Sequence, residues 1–267
     1  MGGSTRAVVG GPLVRTRLDG AVAVVMLDSP KNRNALSTAV LTGLTDALAT
    51  AAQDDEVRVV VLVSEGPAFS SGADLKELTA RDADGPRRAA EGLLTLLRTI
   101  VTLPKPVIAR VHGAVRASGL GLVGAADLAI AGSSATFAFT EVRLGLAPAV
   151  VSLTTIPRMV PRAASRALLT GATIDATIAE EIGLVSQVVP DEALDAAVDS
   201  VVGSMLAASP QGLAVTKGLL TREIRTRMAE DGQSMVELSA RMFASEEGKE
   251  GMTAFLAHCQ PAWARPD

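Results

Sequence analysis

Cysteine and histidine are nearly absent from this sequence, which has one cysteine and two histidines in 267 residues. The single thiol, Cys259, cannot form an internal disulfide, so we expect a reducing, cytoplasmic compartment. With so few thiolate and imidazole ligands, a zinc site is nearly excluded. A Ser-His-Asp hydrolase would have to use His112 or His258 as its base.

Aromatic residues and an excess of basic residues are missing too. The chain has five phenylalanines, one tryptophan and no tyrosine, and its 25 basic against 29 acidic residues give a net charge of −4. Nucleic-acid binding needs basic residues that neutralise phosphates, and single-strand binding also uses aromatic rings for stacking. We therefore expect no nucleic-acid partner.

Long apolar runs are absent as well. The two most apolar stretches, 120–130 and 144–156, are interrupted by Asp127 and by Pro148 respectively. Neither supplies the roughly 20 uninterrupted apolar residues that cross a bilayer, and the first residues show no targeting peptide. We therefore expect a soluble protein without a membrane partner.

The residues that are present predict an α/β fold. Two strand-like runs, 14–18 and 21–27, are joined by Asp19-Gly20, a dipeptide typical of tight hairpins. The β-branched runs 57–64 and 107–111 have the pattern of parallel strands buried on both faces, and helical patterns separate them. Beyond residue 191 the patterns are helical. We predict an α/β core over residues 1–200 and a C-terminal helical oligomerisation segment over residues 201–267.

A Gly-x-Gly-x-x-Gly motif at 119–124 suggests a dinucleotide site, with Glu141 as the ribose-binding acid. Only about two turns of helix follow before the next predicted strand, whereas a parallel crossover normally needs a dozen or more residues. Glu141 also follows a second strand rather than the first. Close backbone packing is the better explanation of these glycines, and NAD binding is the weaker one.

Two loops share a second pattern, in which a predicted strand runs into small residues and then into the start of a helix. They are Ser70–Asp74 and Arg116–Leu120. Each offers backbone N–H groups that no helix hydrogen bond uses. Two such donors directed at one point form an oxyanion hole, which stabilises negative charge on a carbonyl oxygen. From spacing alone this remains one possibility.

Four segments in order resemble the crotonase (enoyl-CoA hydratase/isomerase) superfamily. They are Pro30-Lys31-Asn32-Arg33-Asn34-Ala35-Leu36, Gly66-Pro67-Ala68-Phe69-Ser70-Ser71-Gly72-Ala73-Asp74-Leu75-Lys76-Glu77, Val111-His112-Gly113 through Asp127, and Lys249-Glu250-Gly251-Met252-Thr253-Ala254-Phe255. The resemblance implies a spiral of ββα units, an acyl-CoA thioester substrate, assembly as a trimer or hexamer, and no metal or redox cofactor, since coenzyme A is part of the substrate.

The resemblance also implies roles for individual residues. The N–H groups of Ala73 and Ser118 would hold the thioester oxygen, although the family has glycine at the second position, which raises the question of whether the φ angle there suits a serine. Glu141 matches the second of two catalytic glutamates. The first falls on Gly121, so this sequence keeps one carboxylate, as isomerases and some branched-chain hydratases do.

The remaining positions carried over by the resemblance concern binding of the CoA thioester. His258 stands where the family has a lysine that reaches a CoA phosphate, with a solvated surface histidine as the alternative. Arg143 and His112 are interpreted as structural or surface residues. The predicted substrate-binding residues are Lys31, Arg33, Ala35, Gly72, Asp74, Leu75, Gly121, Phe255 and His258.

The expected activity is hydration of a 2-enoyl-CoA, in which one carboxylate activates water for attack at C3 and returns its proton to C2. A Δ3,Δ2-enoyl-CoA isomerase is the first alternative, because a single base suffices to move a proton between C2 and C4. A catalytically silent acyl-CoA-binding protein is the second, because Gly121 and Ser118 both depart from the hydratase pattern.

Overall fold

The computed structural model describes residues 6–8, 13–79 and 84–264 of the chain. The fold is α/β, as the sequence predicts. Its strands are β1 (Arg6–Val8), β2 (Val14–Asp19), β3 (Val22–Leu27), β4 (Val59–Ser64), β5 (Ala68–Ser70), β6 (Val107–Val111), β7 (Ala114–Arg116), β8 (Leu128–Gly132), β9 (Thr136–Ala138), β10 (Ile174–Asp175) and β11 (Gln187–Val189).

Helices follow most pairs of strands and fill the C-terminal part. They are α1 (Thr38–Gln53), α2 (Leu75–Leu78), α3 (Gly85–Thr102), α4 (Ser118–Ala125), α5 (Ala149–Thr155), α6 (Pro161–Thr170), α7 (Ala176–Glu181), α8 (Leu194–Ala207), α9 (Pro210–Leu220), α10 (Arg222–Glu230), α11 (Gly232–Ala244) and α12 (Glu246–Leu256). No helix within the described ranges is long and apolar enough to cross a membrane.

Two sheets share the strands in a spiral. The larger has the order β1-β2-β3-β4-β6-β8-β11 and is parallel from β3 onwards, and the smaller has the order β10-β9-β7-β5. The pairs β4–β5, β6–β7 and β8–β9 therefore each place one strand in the larger sheet and the next in the smaller, before a helix returns the chain. This is the spiral of ββα units that the family resemblance implies.

Apolar side chains cover both faces of the larger sheet. One face packs on α1, α3 and α4 through a large cluster that includes Leu44, Leu97 and Leu120. The other face packs on α8 through a smaller cluster that includes Val61 and Val198. The predicted division after residue 200 falls inside α8, so the first C-terminal helix is part of the packing of the sheet.

Local sequence explains most element boundaries. Gly20 takes a positive φ of 55° between β2 and β3, as the Asp-Gly turn requires, and the Ser37 side chain accepts a hydrogen bond from Val40 N at the start of α1. Helix α3 begins at Gly85 with Pro86 in its first turn, where the missing proline N–H breaks no intrahelical hydrogen bond. The short strands β5 and β7 lie between the longer strands β4 and β6 and the helices that follow them, α2 and α4.

A buried ion pair attaches the C-terminal helices to the spiral. Lys217 on α9 is 5% exposed, and its Nζ lies 2.7 Å from Oδ2 of Asp127 and donates to the carbonyl of Ile100 at 2.8 Å. The same Asp127 oxygen accepts from Val107 N at 2.7 Å. Asp127, part of the third resembling segment, thus has a structural role between β6, β8 and α9.

Candidate active site

A cavity of about 680 Å³ lies where the ends of α2, α4 and α5 approach α3 and the C-terminal helices. Its wall includes the three residues predicted to be catalytic, Ala73, Ser118 and Glu141. The structure therefore brings together groups that are far apart in the sequence, and the cavity is the candidate site.

Two glycines let the two predicted oxyanion loops touch. Gly72 has a φ of +92°, and a Cβ there would lie 2.9 Å from the Cβ of Ala117. Gly119 faces the other loop in the same way, since its Cβ would lie 2.8 Å from the Cβ of Ser70. Real Cβ atoms do not approach so closely, so glycine at both positions keeps the loops in contact.

The backbone N–H groups of Ala73 and Ser118 are free to bind a ligand. Leu36 pairs with Ala73 in an isolated parallel bridge, in which Leu36 N donates to the Gly72 carbonyl at 2.7 Å. This hydrogen bond does not involve the Ala73 N–H, which has no acceptor in the described chain. Ser118 is the first residue of α4, so its N–H lies outside the intrahelical ladder. Both donors belong to residues of the cavity wall.

The φ angle that disfavours a residue with a Cβ belongs to the residue before Ser118. Ser118 is helical, and the residue with positive φ is Ala117, at φ 46° and ψ −120°. That conformation is costly for a residue with a Cβ, at about 1–3 kcal/mol. The serine itself is therefore compatible with the donor geometry, and Ala117 is the strained residue of this loop.

Asn34 fixes the position of the Ala73 loop. It has no exposed surface and a positive φ of 53°. Its Oδ1 accepts from Ser29 N, and its Nδ2 donates to the carbonyls of Glu65 and Ala68, each at 2.8 Å. Ser70 Oγ donates to the Asn34 carbonyl at 2.9 Å. This network joins the 29–36 segment to the loop that carries Ala73, a role that sequence reasoning missed.

Glu141 is a buried acid without a hydrogen-bond partner on another residue. Its side chain is 7% exposed, neither carboxyl oxygen has a partner among the described residues, and it lines the cavity from the short 3₁₀ segment Thr140–Leu144. Burial raises the pKa of Glu141 to about 7, opposed only by its own backbone N–H. A carboxyl group in that range can take up and release a proton near neutral pH.

Gly121 does not line the cavity, contrary to its predicted place among the substrate-binding residues. It lies inside α4, where a Cβ would be 3.1 Å from Cδ1 of Leu97 on α3. Its carbonyl accepts from Thr154 Oγ1 at 3.1 Å. A Leu97 methyl group therefore lies against the point from which the family's first glutamate would extend, a contact that sequence reasoning could not show.

The other predicted binding residues divide into two groups. Gly72 is not on the cavity wall either. Its role is in the contact between the two loops described above. Asp74 is on the wall, and its Oδ1 also accepts from Lys76 N and Glu77 N at the start of α2. The predicted binding residues on the wall are Lys31, Arg33, Ala35, Asp74, Leu75 and Phe255.

His258 is also outside the wall in this chain. It is exposed and takes a positive φ of 54° at the second residue after α12. His258 N donates to the Phe255 carbonyl at 3.1 Å, and Cys259 N donates to the Ala254 carbonyl at 2.9 Å. This pattern is a Schellman motif, in which glycine is the usual residue at the position of His258.

Arg143 and His112 have structural contacts. Arg143 is exposed at the edge of the cavity, and its Nε donates to the carbonyl of Thr170 at 3.3 Å. His112 Nε2 lies 2.7 Å from the Gly66 carbonyl oxygen, and its Nδ1 lies 3.2 Å from Arg110 Nη1. His112 thus holds the β4–β5 loop to β6, in agreement with its structural interpretation.

Sequence reasoning missed most of the apolar wall. Its members include Leu41, Leu93, Pro148 and Val150. Leu41, Leu93 and Val150 have the same helical spacing as core residues, so no sequence signal separates residues of the cavity wall from residues of the core. Arg116 was also missed, and it is half-buried on the wall with Nη1 donating to the Thr136 carbonyl at 2.7 Å.

The comparison with family models decides the membership of the chain. Residues 17–266 match the model described as enoyl-CoA hydratase/isomerase. This chain belongs to the enoyl-CoA hydratase/isomerase family.

Similar proteins and similar solved structures support the assignment of this chain to the enoyl-CoA hydratase/isomerase family. The chain is 34% identical to the mitochondrial enoyl-CoA hydratase domain-containing protein 3 of Mus musculus, over 94% of this chain and 84% of that protein. The Danio rerio protein of the same name is 40% identical over 55% of this chain, and the match spans about half (53%) of that protein.

An enoyl-CoA hydratase from Mycobacterium avium superposes with a TM-score of 0.87 at 45% identity, covering 95% of this chain and 99% of that one. An enoyl-CoA hydratase from Mycobacterium smegmatis gives a TM-score of 0.77 at 34% identity, covering 95% and 100% of the two chains. The family acts on acyl-CoA thioesters, and its fold is the one described above.

Proposed function

We propose that this family member hydrates 2-enoyl-CoA thioesters at the cavity described above, with one carboxylate. The observation that carries the proposal is Glu141, a buried and unpaired carboxyl group on the same cavity wall as the free N–H groups of Ala73 and Ser118. Buried carboxyl groups without partners are costly, so one that faces a cavity indicates a functional role.

The two N–H groups would polarise the thioester carbonyl and stabilise the enolate that forms on attack at C3. Ionised Glu141 would remove a proton from the attacking water and then deliver it to C2, so that water is added across the double bond without net change in the enzyme. Lys31 and Arg33 on the same wall would face the CoA portion. This reaction requires no cofactor beyond the CoA of the substrate.

Isomerisation of 3-enoyl-CoA is the second candidate activity. Gly121 stands where the family has its first glutamate and Leu97 lies next to it, so no carboxyl group at this position can hold water. A single base could instead remove a proton from C2 and return it at C4 of the same enolate. The 3-enoyl substrate and its conjugated product distinguish this activity from hydration.

The test is to incubate the protein with crotonyl-CoA and, separately, with a 3-enoyl-CoA while following absorbance of the conjugated thioester. Loss of absorbance with crotonyl-CoA supports hydration, and gain with the 3-enoyl-CoA supports isomerisation. Tight acyl-CoA binding without either change would leave the catalytically silent protein as the correct description.

Glu141→Gln should lower kcat by about 10² to 10⁴ while acyl-CoA binding is retained, because the substitution removes proton transfer and leaves the N–H donors in place. Glu192→Gln is the matched control, since Glu192 is exposed and does not line the cavity. More than a third of wild-type kcat in Glu141→Gln would reject the proposed base.

Assembly into a trimer or hexamer and a cytoplasmic location are further parts of the proposal. Exposed apolar side chains support assembly, among them Leu219 and Leu220 at the end of α9, at 68% and 70% exposure. Light scattering after size-exclusion chromatography tests it, and a monomer at micromolar concentration would contradict it.

A further inference from the structure

Helix α12 packs on the turn that carries Glu141 with backbone against backbone. A Cβ on Gly251 would overlap the carbonyl group of Leu144 and lie 2.8 Å from its Cα. From the other side, Gly145 has a φ of +67°, and a Cβ there would lie 2.6 Å from the carbonyl carbon and oxygen of Glu247. Both contacts end on backbone atoms, which cannot move aside as a flexible side chain can.

This contact is purely steric. No backbone hydrogen bond joins α12 to residues 140–146 in the part of the chain that the structure describes. The turn itself is tight, because the Glu141 carbonyl accepts both from Gly145 N and, at 3.0 Å, from Leu146 N. The backbone of Glu141 is therefore held by a small turn whose outer surface is the contact with α12.

The Glu141 carboxyl group has nothing else to fix its position. Its two oxygens have no hydrogen-bond partner on another described residue, so packing and the Glu141 backbone, including its own N–H, determine where they lie. Among the charged groups on packed elements are Arg143 on its own turn and Arg166 on α6, yet none of the described charges shifts its pKa. Glu247, Lys249 and Glu250 on α12 do not shift the pKa of Glu141 either.

We propose that α12 is a positioning element for Glu141, and that Gly251 is the positioning residue, because only glycine lets the helix approach the Leu144 carbonyl. This inference rests on the proposed function, since it assumes that Glu141 transfers the proton. It assigns the fourth resembling segment, 249–255, a task at the reacting carboxyl group in addition to its place on the cavity wall.

The test is the pH dependence of kcat/KM and the value of kcat in Gly251→Ala. The added methyl group should push the turn away from α12, and a displacement of about 1 Å can lower a rate by about 100-fold. Water admitted beside Glu141 should lower its pKa from about 7 towards its ordinary value. We expect kcat to fall at least tenfold and the acidic limb of the profile to move to lower pH.

Two controls separate positioning from general effects. Gly203→Ala makes the same chemical change in α8, where a Cβ meets nothing within 4 Å, and should alter neither kcat nor the acidic limb. Val202→Ala, in the cluster under α8, should lower the melting temperature and leave the acidic limb in place. A loss of stability alone therefore does not reproduce the expected result.

A gentler variant keeps the test usable if Gly251→Ala does not fold. Ser245 Oγ accepts from Gly248 N at 3.1 Å at the start of α12, so Ser245→Ala loosens the turn of helix that contacts Gly145. It should shift the acidic limb in the same direction by a smaller amount. An unchanged limb in both folded variants would overturn the inference.

The failure of this inference is distinguishable from the failure of the proposed function. If Glu141→Gln abolishes turnover while Gly251→Ala keeps the wild-type kcat and the wild-type acidic limb of the pH profile, only the positioning role is wrong. If Glu141→Gln retains turnover, the proposed base is wrong, and the positioning role falls with it.

Discussion

Asn34 and Glu141 are both buried polar side chains beside the cavity, and they are held in opposite ways. Every polar atom of the Asn34 side chain has a hydrogen-bond partner, whereas neither oxygen of Glu141 has one among the described residues. A group whose task is to hold a loop gains from full satisfaction. A group whose task is to exchange a proton must keep its oxygens available to substrate.

The largest expected effect is the loss of the Asn34 side chain, whose polar atoms all have hydrogen-bond partners. Asn34→Ala removes three hydrogen bonds, two of them buried, to Ser29 N and the Ala68 carbonyl, and one part-buried, to the Glu65 carbonyl. We expect a loss of roughly 3–5 kcal/mol in the free energy of unfolding, measured by urea denaturation. A loss below about 1 kcal/mol would contradict the view that this network fixes the loop.

The second prediction concerns stability at Glu141 and has the opposite sign. Because burial raises the pKa of Glu141 to about 7 in the folded protein, the ionised form costs stability as pH rises through that value. Glu141→Gln should therefore stabilise the fold by up to about 3 kcal/mol at pH 8 relative to pH 5. Equal melting-temperature differences between variant and wild type at the two pH values would show that Glu141 is not strained by burial.

A third experiment adds a second unpaired carboxyl group to the same region. In Gly121→Glu the new side chain must pass Leu97, so we expect a loss of about 1–3 kcal/mol in stability and lower hydration and isomerisation rates. Gly121→Glu with Leu97→Ala should recover part of both losses. Higher hydration in the single variant would mean that Leu97 moves aside.

The fourth prediction separates two neighbours in an oxyanion loop. Ala117→Gly should raise stability by about 1 kcal/mol, since glycine tolerates its positive φ, whereas Ser118→Gly should not, since Ser118 is helical. Thermal melts of the two variants check the difference. A gain in Ser118→Gly instead would place the strain at the serine.

The smallest effect is expected at the end of α12. His258→Gly should stabilise the protein by less than about 1 kcal/mol, because His258 is at the Schellman position where glycine is preferred. The KM of an enoyl-CoA should be unchanged if the imidazole is a solvated surface group. A rise in KM would return His258 to its predicted contact with a CoA phosphate.

The comparison also shows what could be predicted from the sequence. Strands β4 and β6 consist mostly of β-branched and aliphatic residues, with Ser64 and Arg110 as the exceptions, so their pattern suffices to locate them. Strands β5 and β7 have three residues each, and helix α5 is buried on nearly all sides, so none of them shows a clear period. The glycines that flank these strands, such as Gly66 and Gly113, favour loops in the sequence pattern.

Part of the candidate site could also be predicted from the sequence. The resemblance placed Ala73, Ser118 and Glu141, and all three lie on one cavity wall. Long-range contacts could not be predicted, since the leucine that fills the space next to Gly121 and the strain at Ala117 depend on three-dimensional packing. The absence of partners for Glu141 is likewise a property of the folded chain.

The spiral has a consequence for the order in which the chain can fold. In the larger sheet β3, β4, β6 and β8 are neighbours in the same order as in the sequence, so each unit pairs with the one made before it. A growing chain can therefore add one unit at a time from its N-terminal side. Helix α12 follows every unit of the spiral in the chain, so it can meet the Glu141 turn only after those units have been synthesised.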